Sequence, residues 1–156
     1  MKRTDLVKLV LDNLGSKQSA SSGSKIKIMK SRDLDLRRDD ADLIKNFIDV
    51  CCSVMELEGN YKCYLSASRQ KSKIKTSAIC SFNDNNIRVY CKDRAVFDIL
   101  RSIAHEMLHL RQHELDLVHN TVKKHYLNPI EWDANVVAGS ILSFFALKVG
   151  RDRVYR

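Results

Sequence analysis

The string His105-Glu106-Met107-Leu108-His109 lies within a run of apolar residues spaced three and four apart, and it restricts the fold more than any other part of the chain. Residues four apart on a helix sit one turn apart on the same face, so both imidazoles can reach a single cation, with Glu106 beside it. Two histidines do not complete such a site. A catalytic zinc takes three protein ligands and keeps one position for water, so the chain has to bring a second element back against this helix to supply the third.

The flanking pattern describes the rest of the domain. Val96, Leu100, Ile103, Met107 and Leu110 form the apolar stripe of the helix, which Asp93 is placed to cap and which runs to about residue 117. Ahead of it, residues 61–68, 73–82 and 87–92 alternate apolar with polar, separated by turn residues at 70–72 and at Asn83-Asp84-Asn85-Asn86, and predict an antiparallel meander. Residues 25–30 read as an edge strand in which lysines alternate with Ile26 and Ile28. Residues 33–57 carry Leu43, Ile44, Phe47, Val50, Cys51 and Val54 at helical spacing, with Gly59 placed to end the helix. Asn128-Pro129 offers an N-cap followed by Pro at the first helical position, opening an apolar helix to about residue 149. The expected class is therefore α+β: a long N-terminal helix, a small, mainly antiparallel sheet of three to four strands, the H-E-x-x-H helix and a C-terminal helix.

Residues 5–14 suit a short amphipathic helix, but residues 15–25 are Ser, Gly and Lys with hardly an apolar side chain. Residues 1–24 are accordingly expected to be a flexible arm and residues 25–156 a single domain. The length of 156 residues and the 44% apolar content suffice for one domain with a core. The net charge of +8 is spread along the chain, which predicts a solvated basic surface and leaves nucleic acid as a possible partner. Five cysteines without a C-x-x-C pair argue against both a disulfide framework and a cysteine-bound metal, and Cys63, Cys80 and Cys91 fall on the apolar side of predicted strands. Residues 1–14 interleave charges with apolar residues and lack the core of a secretory signal, and residues 134–147 are too few to span a bilayer. A cytoplasmic protein is expected.

The candidates for third ligand are His113, Glu114, His119, His125, Glu131 and Asp133. The pattern H-E-x-x-H-x-x-G-x-x-H is excluded, because its glycine and third histidine positions hold Gln112 and Leu115. His113 is expected to be exposed. Glu131 stands 22 positions after His109 at the start of the next helix; it can either complete a His, His, Glu set or close a capping box with Asn128. If the site is catalytic, Glu106 serves as general base toward a zinc-activated water and then as acid toward the leaving amine. His119, His125 or Tyr126 on the intervening loop are candidates to stabilise the oxyanion, His125 and Tyr126 being nearest Glu131 in sequence. Asn135, one helical turn past Glu131, or Asp133 could accept the free ring N–H of a ligating histidine. A substrate would lie extended along a sheet edge.

Residues 103–112 together with 129–135, preceded by a hairpin, resemble the gluzincin-type metallopeptidases, most closely the ImmA/IrrE-like and small phage-encoded peptidases. The resemblance covers roughly residues 60 to 148. It implies a zincin-like fold, Zn²⁺ bound by His105, His109 and Glu131, Glu106 as catalytic carboxylate, a protein or peptide substrate, and a host cytoplasmic location if the chain is phage-encoded. A second resemblance is to the SprT and Spartan-like DNA-associated proteases, in which the third ligand is a histidine; His125 would fill that place. A rival of another class is a basic nucleic-acid-associated binding protein with a non-catalytic zinc site.

Overall fold

Apolar alternation on short segments and apolar stripes on long ones lead this chain to a small sheet with helices against one face. The computed structural model describes residues 1–16, 25–118 and 128–156. Among them are five helices and a four-stranded mixed sheet: α1 (Arg3–Gly15), β1 (Ile26–Lys30), α2 (Arg38–Met55), β2 (Tyr61–Ser66), β3 (Ala78–Ser81), β4 (Asn86–Tyr90), α3 (Val96–Glu114), α4 (Pro129–Val149) and α5 (Arg151–Val154).

The strand order is β1-β2-β4-β3. β1 pairs with β2 and β2 with β4 in parallel, and only β3 and β4 are antiparallel, which corrects the expected meander and the mainly antiparallel sheet. Alternation reports that a strand is half-buried but is silent on the direction of its neighbour. The expected strand over 73–82 shrinks to Ala78–Ser81. Residues 67–77 instead form a turn-rich loop anchored by the buried Ile74, whose N–H donates to the Arg69 carbonyl at 2.8 Å. That loop lets β4 pass inside β3 and pair with β2, leaving β3 at the edge. α2 carries the chain from β1 back to a parallel β2, the usual requirement for a parallel pair.

Buried Cys63, Leu65, Ile87 and Val89 face the helices, where they meet Phe47 and Ile48 of α2 and Leu100 and Ile103 of α3 in one core. Phe47 and Phe145 of α4 meet edge to face, with centroids 5.2 Å apart. Cys51, Cys52, Cys63, Cys80 and Cys91 are all free thiols. α1 also belongs to this core, since Leu6 and Val10 are buried and the helix packs on α2 and α4. A domain edge drawn at residue 25 therefore leaves out a core helix: its apolar face was legible, but the polar run after it masked the destination.

Two helix ends differ from expectation. α2 stops at Glu56, which takes the left-handed conformation (φ 54°), and not at Gly59. α3 begins after Ala95 without a side-chain cap, while Asp93 adopts a positive φ in the turn before it. Arg94 fastens this entry, donating to the carbonyls of Tyr90 and Ser77, to Asp98 and to the Ser102 hydroxyl. α4 spans Pro129–Val149, the start and end that Asn128-Pro129 and Gly150 predict. Its 21 residues, with a mean hydropathy of 1.3 over the apolar window, could cross a membrane by length and composition alone. Its first two turns nonetheless carry buried Glu131, turned to α3, and buried Asp133, turned to α1.

Gly59 has another use. Its N–H and that of Glu58 donate to Glu114 at the end of α3, at 2.7 and 3.1 Å, and the Tyr61 hydroxyl and Arg111 converge on the same carboxylate. A Cβ at position 59 would collide with the Tyr61 ring and Glu114, so glycine is required by close approach. Burial alone would raise the Glu114 pKa, but the bonds from Tyr61, Glu58, Gly59 and Arg111 outweigh it and hold the carboxyl below its ordinary value near 4.5. A carboxyl with a depressed folded pKa contributes stability that is present above the unfolded value and lost as pH falls through the folded one. Glu114→Gln is expected to cost about 1–3 kcal/mol at neutral pH in urea denaturation, and its stability should change less than the wild type's as pH is lowered below about 4.5.

Candidate metal centre

Helical periodicity sets up the site before any tertiary contact. His105 and His109 project from one side of α3, their rings nearly perpendicular with centroids 4.7 Å apart. At the facing end of α4, Asn128 caps the helix by accepting the Ile130 N–H at 3.0 Å, with Pro129 in the first turn. With the cap satisfied by Asn128, the Glu131 side chain crosses to α3. Its Oε2 lies 2.7 Å from His105 Nε2 and 3.2 Å from His109 Nε2, and the two Nε2 atoms are 3.0 Å apart. Of the two readings left open for Glu131, the geometry realises the one that joins the histidines.

The far sides of both rings are held by amides. His105 Nδ1 faces Asn135 Oδ1 at 2.9 Å, the role expected for Asn135. His109 Nδ1 faces Gln112 Oε1 at 2.7 Å, and Gln112 Nε2 donates to the Ile130 carbonyl at 3.3 Å. A carbonyl only accepts, so the Gln112 NH2 must point toward Ile130 and its oxygen toward His109. That places a proton on His109 Nδ1 and turns Nε2 toward Glu131 and His105. Gln112 went unrecognised in the sequence as a contributor, where it appeared only as the residue displacing a glycine. Its signal was its position one turn beyond His109 on the same helix.

Asp133 does not act on a histidine. It is bound by Arg3 of α1 through contacts of 2.6 and 2.7 Å, so the N-terminal helix is tied to the first turn of α4. Helical rotation explains the correction: two residues from Glu131, Asp133 points away from α3 toward the helix on the other side. His113 is exposed and stacks on Phe82 at 4.2 Å, and Glu114 is engaged with the loop before β2, so neither joins the pair. His119, His125 and Tyr126 lie outside the described residues.

The centre is largely dry. His109, Glu106 and Glu131 are buried, while His105 is only partly covered and forms the open side. Burial drives the His109 pKa down, yet the Glu131 hydrogen bond, the nearby Glu106 charge and Gln112 outweigh it, and the net shift is upward. Burial likewise pushes Glu131 up, but its bonds to His105 and His109 reverse this and hold its carboxyl far below the ordinary range. Glu131 Oε1 is buried with no hydrogen-bond partner among the described residues. The two Nε2 atoms and the carboxylate converge on one point, where either a proton shared with Glu131 or a cation held by all three groups would satisfy them. Among the described residues these three side chains form the group able to hold a metal ion, their ligating atoms all lying within 4.8 Å of one another. Two nitrogens and one carboxylate oxygen are a donor set that several divalent transition-metal cations accept.

No family model, curated protein or solved structure matches the chain.

Outer partners of metal-bound histidines typically contribute about 10–100-fold in affinity. Gln112→Ala is therefore expected to weaken zinc binding by about that factor in competition with a chromophoric chelator, while Asp133→Asn, which loosens only the tie to α1, should weaken it less.

Proposed function

We propose that the protein is a zinc-dependent metallopeptidase of zincin-like design that hydrolyses a protein or peptide substrate. The observation supporting this reading is the convergence of His105 Nε2, His109 Nε2 and Glu131 Oε2 at 2.7–3.2 Å with a distal hydrogen-bond partner on each ring. A structural zinc normally has four protein ligands, whereas three leave a position for chemistry. Bound there, zinc would supply Lewis acidity, polarising the scissile carbonyl and making water acidic enough to react near neutral pH.

The chain's own residues do the remainder. Glu106 follows the first histidine on α3, is buried, and lies near enough to His109 for its charge to act on that ring. It takes the proton from the attacking water and delivers it to the leaving amine. Asn135 and Gln112 keep each Nδ1 protonated and each Nε2 available. Glu131 is the third ligand in this reading, in preference to His125 of the SprT-like alternative. β3 is the antiparallel edge of the sheet and packs against α3, so a substrate could add to it as a further strand. His125 and Tyr126 remain the proposed oxyanion donors, and a cytoplasmic location, in a host cell if the chain is phage-encoded, completes the reading.

Glu106→Gln tests it. The variant should retain about one zinc per chain by elemental analysis, as the wild type does, and lose about 10²–10⁴-fold in cleavage of a quenched-fluorescence peptide library. Wild-type protein that takes up no zinc, or a Glu106→Gln variant as active as wild type, would refute the proposal. Glu131→Ala should lose zinc while His125→Ala keeps it; the opposite result would favour the SprT-like ligand set.

A further inference from the structure

The helices cover one face of the sheet, and the other presents a different chemistry. Alternation along the strands places Lys27, Lys62, Tyr64, Asn86 and Arg88 on the side opposite buried Cys63, Leu65, Ile87 and Val89. The strand registers set these residues in rows. Lys27 is the direct partner of Lys62, which is the partner of Asn86; in the next row Tyr64 stands between Met29 and Arg88. Lys27, Lys62 and Tyr64 line a surface concavity together with Tyr61, Asp84 and the asparagines at 60, 85 and 86.

Two lysines facing each other across adjacent strands, about 4.8 Å apart in the backbone, repel, and such a pair is unfavourable without an anion between them. Both are exposed. The loop of residues 67–77 borders the same face, held by the Arg88 bond to the Ser72 carbonyl at 2.6 Å and by the Ser66–Ser72 hydroxyl contact at 2.7 Å. This loop adds exposed Arg69, Lys71, Lys73 and Lys75. Arg69 lies over the Tyr90 ring at 4.3 Å, whereas Tyr64, one strand away, has no cation stacked on it among the described residues. Asp84 lines the same concavity and is hydrogen-bonded to Ser81, and Asp33, whose carboxyl is lowered chiefly by Ser31 and in part by Lys71, lies beside the loop. Cations exceed acids, and they surround an aromatic ring and several amides.

We propose that this open sheet face binds single-stranded nucleic acid, with Lys27 and Lys62 on the phosphates and Tyr64 stacking on a base. A single strand suits the surface better than a duplex, because a stacking ring needs an unpaired base face, while the asparagines offer donors and acceptors to base edges. The site lies on the sheet face opposite the helices that carry the metal centre and does not depend on that centre being catalytic.

The test is fluorescence anisotropy of labelled oligo-dT and oligo-U, each about twelve nucleotides long, and of a duplex of the same length, against the full chain between about 50 and 200 mM salt. Wild type should bind at least one of the two single strands more tightly than the duplex, and the better of dT and U identifies DNA or RNA as the preferred source. Lys27→Ala/Lys62→Ala should weaken binding at least tenfold and reduce the log–log salt slope by about 1.4, the value for two phosphate contacts on a single strand. Tyr64→Leu should weaken binding by roughly five- to a hundredfold and Tyr64→Phe should restore it. The comparison variant Lys8→Ala/Lys45→Ala removes the same charge from exposed positions on α1 and α2 and should change binding less than threefold. Zinc content and its chelation should leave all of these values unchanged. Equal losses in the two double-lysine variants, duplex bound as tightly as single strand, or no binding at about 50 mM salt would each overturn the proposal.

Discussion

A single carboxylate joins the two helices on which this structure turns. Glu131 begins α4 and ends on two imidazoles of α3, 2.7 and 3.2 Å away. Burying a carboxylate is expensive unless it is paired, and here the pairing is with two imidazoles, which can meet it either as N–H donors or, beside it, as ligands to a shared cation. The same geometry would let the three groups hold a cation between them. Everything near it is organised to keep that geometry: Asn128 caps α4 so that Glu131 need not, Gln112 ties His109 to the Ile130 carbonyl, and Arg3 pins the next turn through Asp133.

The rest of the fold supplies the rigidity such a site needs. Phe47 and Phe145 lock α2 to α4, Arg94 fastens the start of α3 to the strands, and Glu114 fastens its end to the loop before β2. α3 is held at both ends by buried or half-buried polar groups and along its length by apolar packing, so its histidines are presented on a fixed frame. The helices leave the opposite sheet face uncovered, so Lys27 and Lys62 are exposed and Tyr64 is half-buried, while the loop of residues 67–77 covers Ser66 and holds Arg88.

The sequence made some of this legible for definite reasons. The His105/His109 spacing and the Asn128-Pro129 start are local patterns with one strong physical reading each, whereas Glu131 kept two readings until the facing helix was known. Sheet direction was not legible, because alternation in residues 61–92 is the same for parallel and antiparallel neighbours and the loop anchored by Ile74 could not be told from a strand. Gln112 and Arg3 were missed because each acts through a contact across elements: Gln112 on the Ile130 carbonyl, Arg3 on Asp133, 130 positions away. The choice between Asn135 and Asp133 turned on helix rotation, which sequence spacing constrains only once the facing helix is known.

X-ray absorption at the zinc edge of the loaded protein bears most directly on the central claim. Coordination by His105, His109 and Glu131 predicts two imidazole nitrogens at about 2.0–2.1 Å and a carboxylate oxygen at about 2.0–2.2 Å, with one further light atom. A spectrum showing sulfur at about 2.3 Å, drawn from the free cysteines, or fewer than two imidazoles, would contradict it.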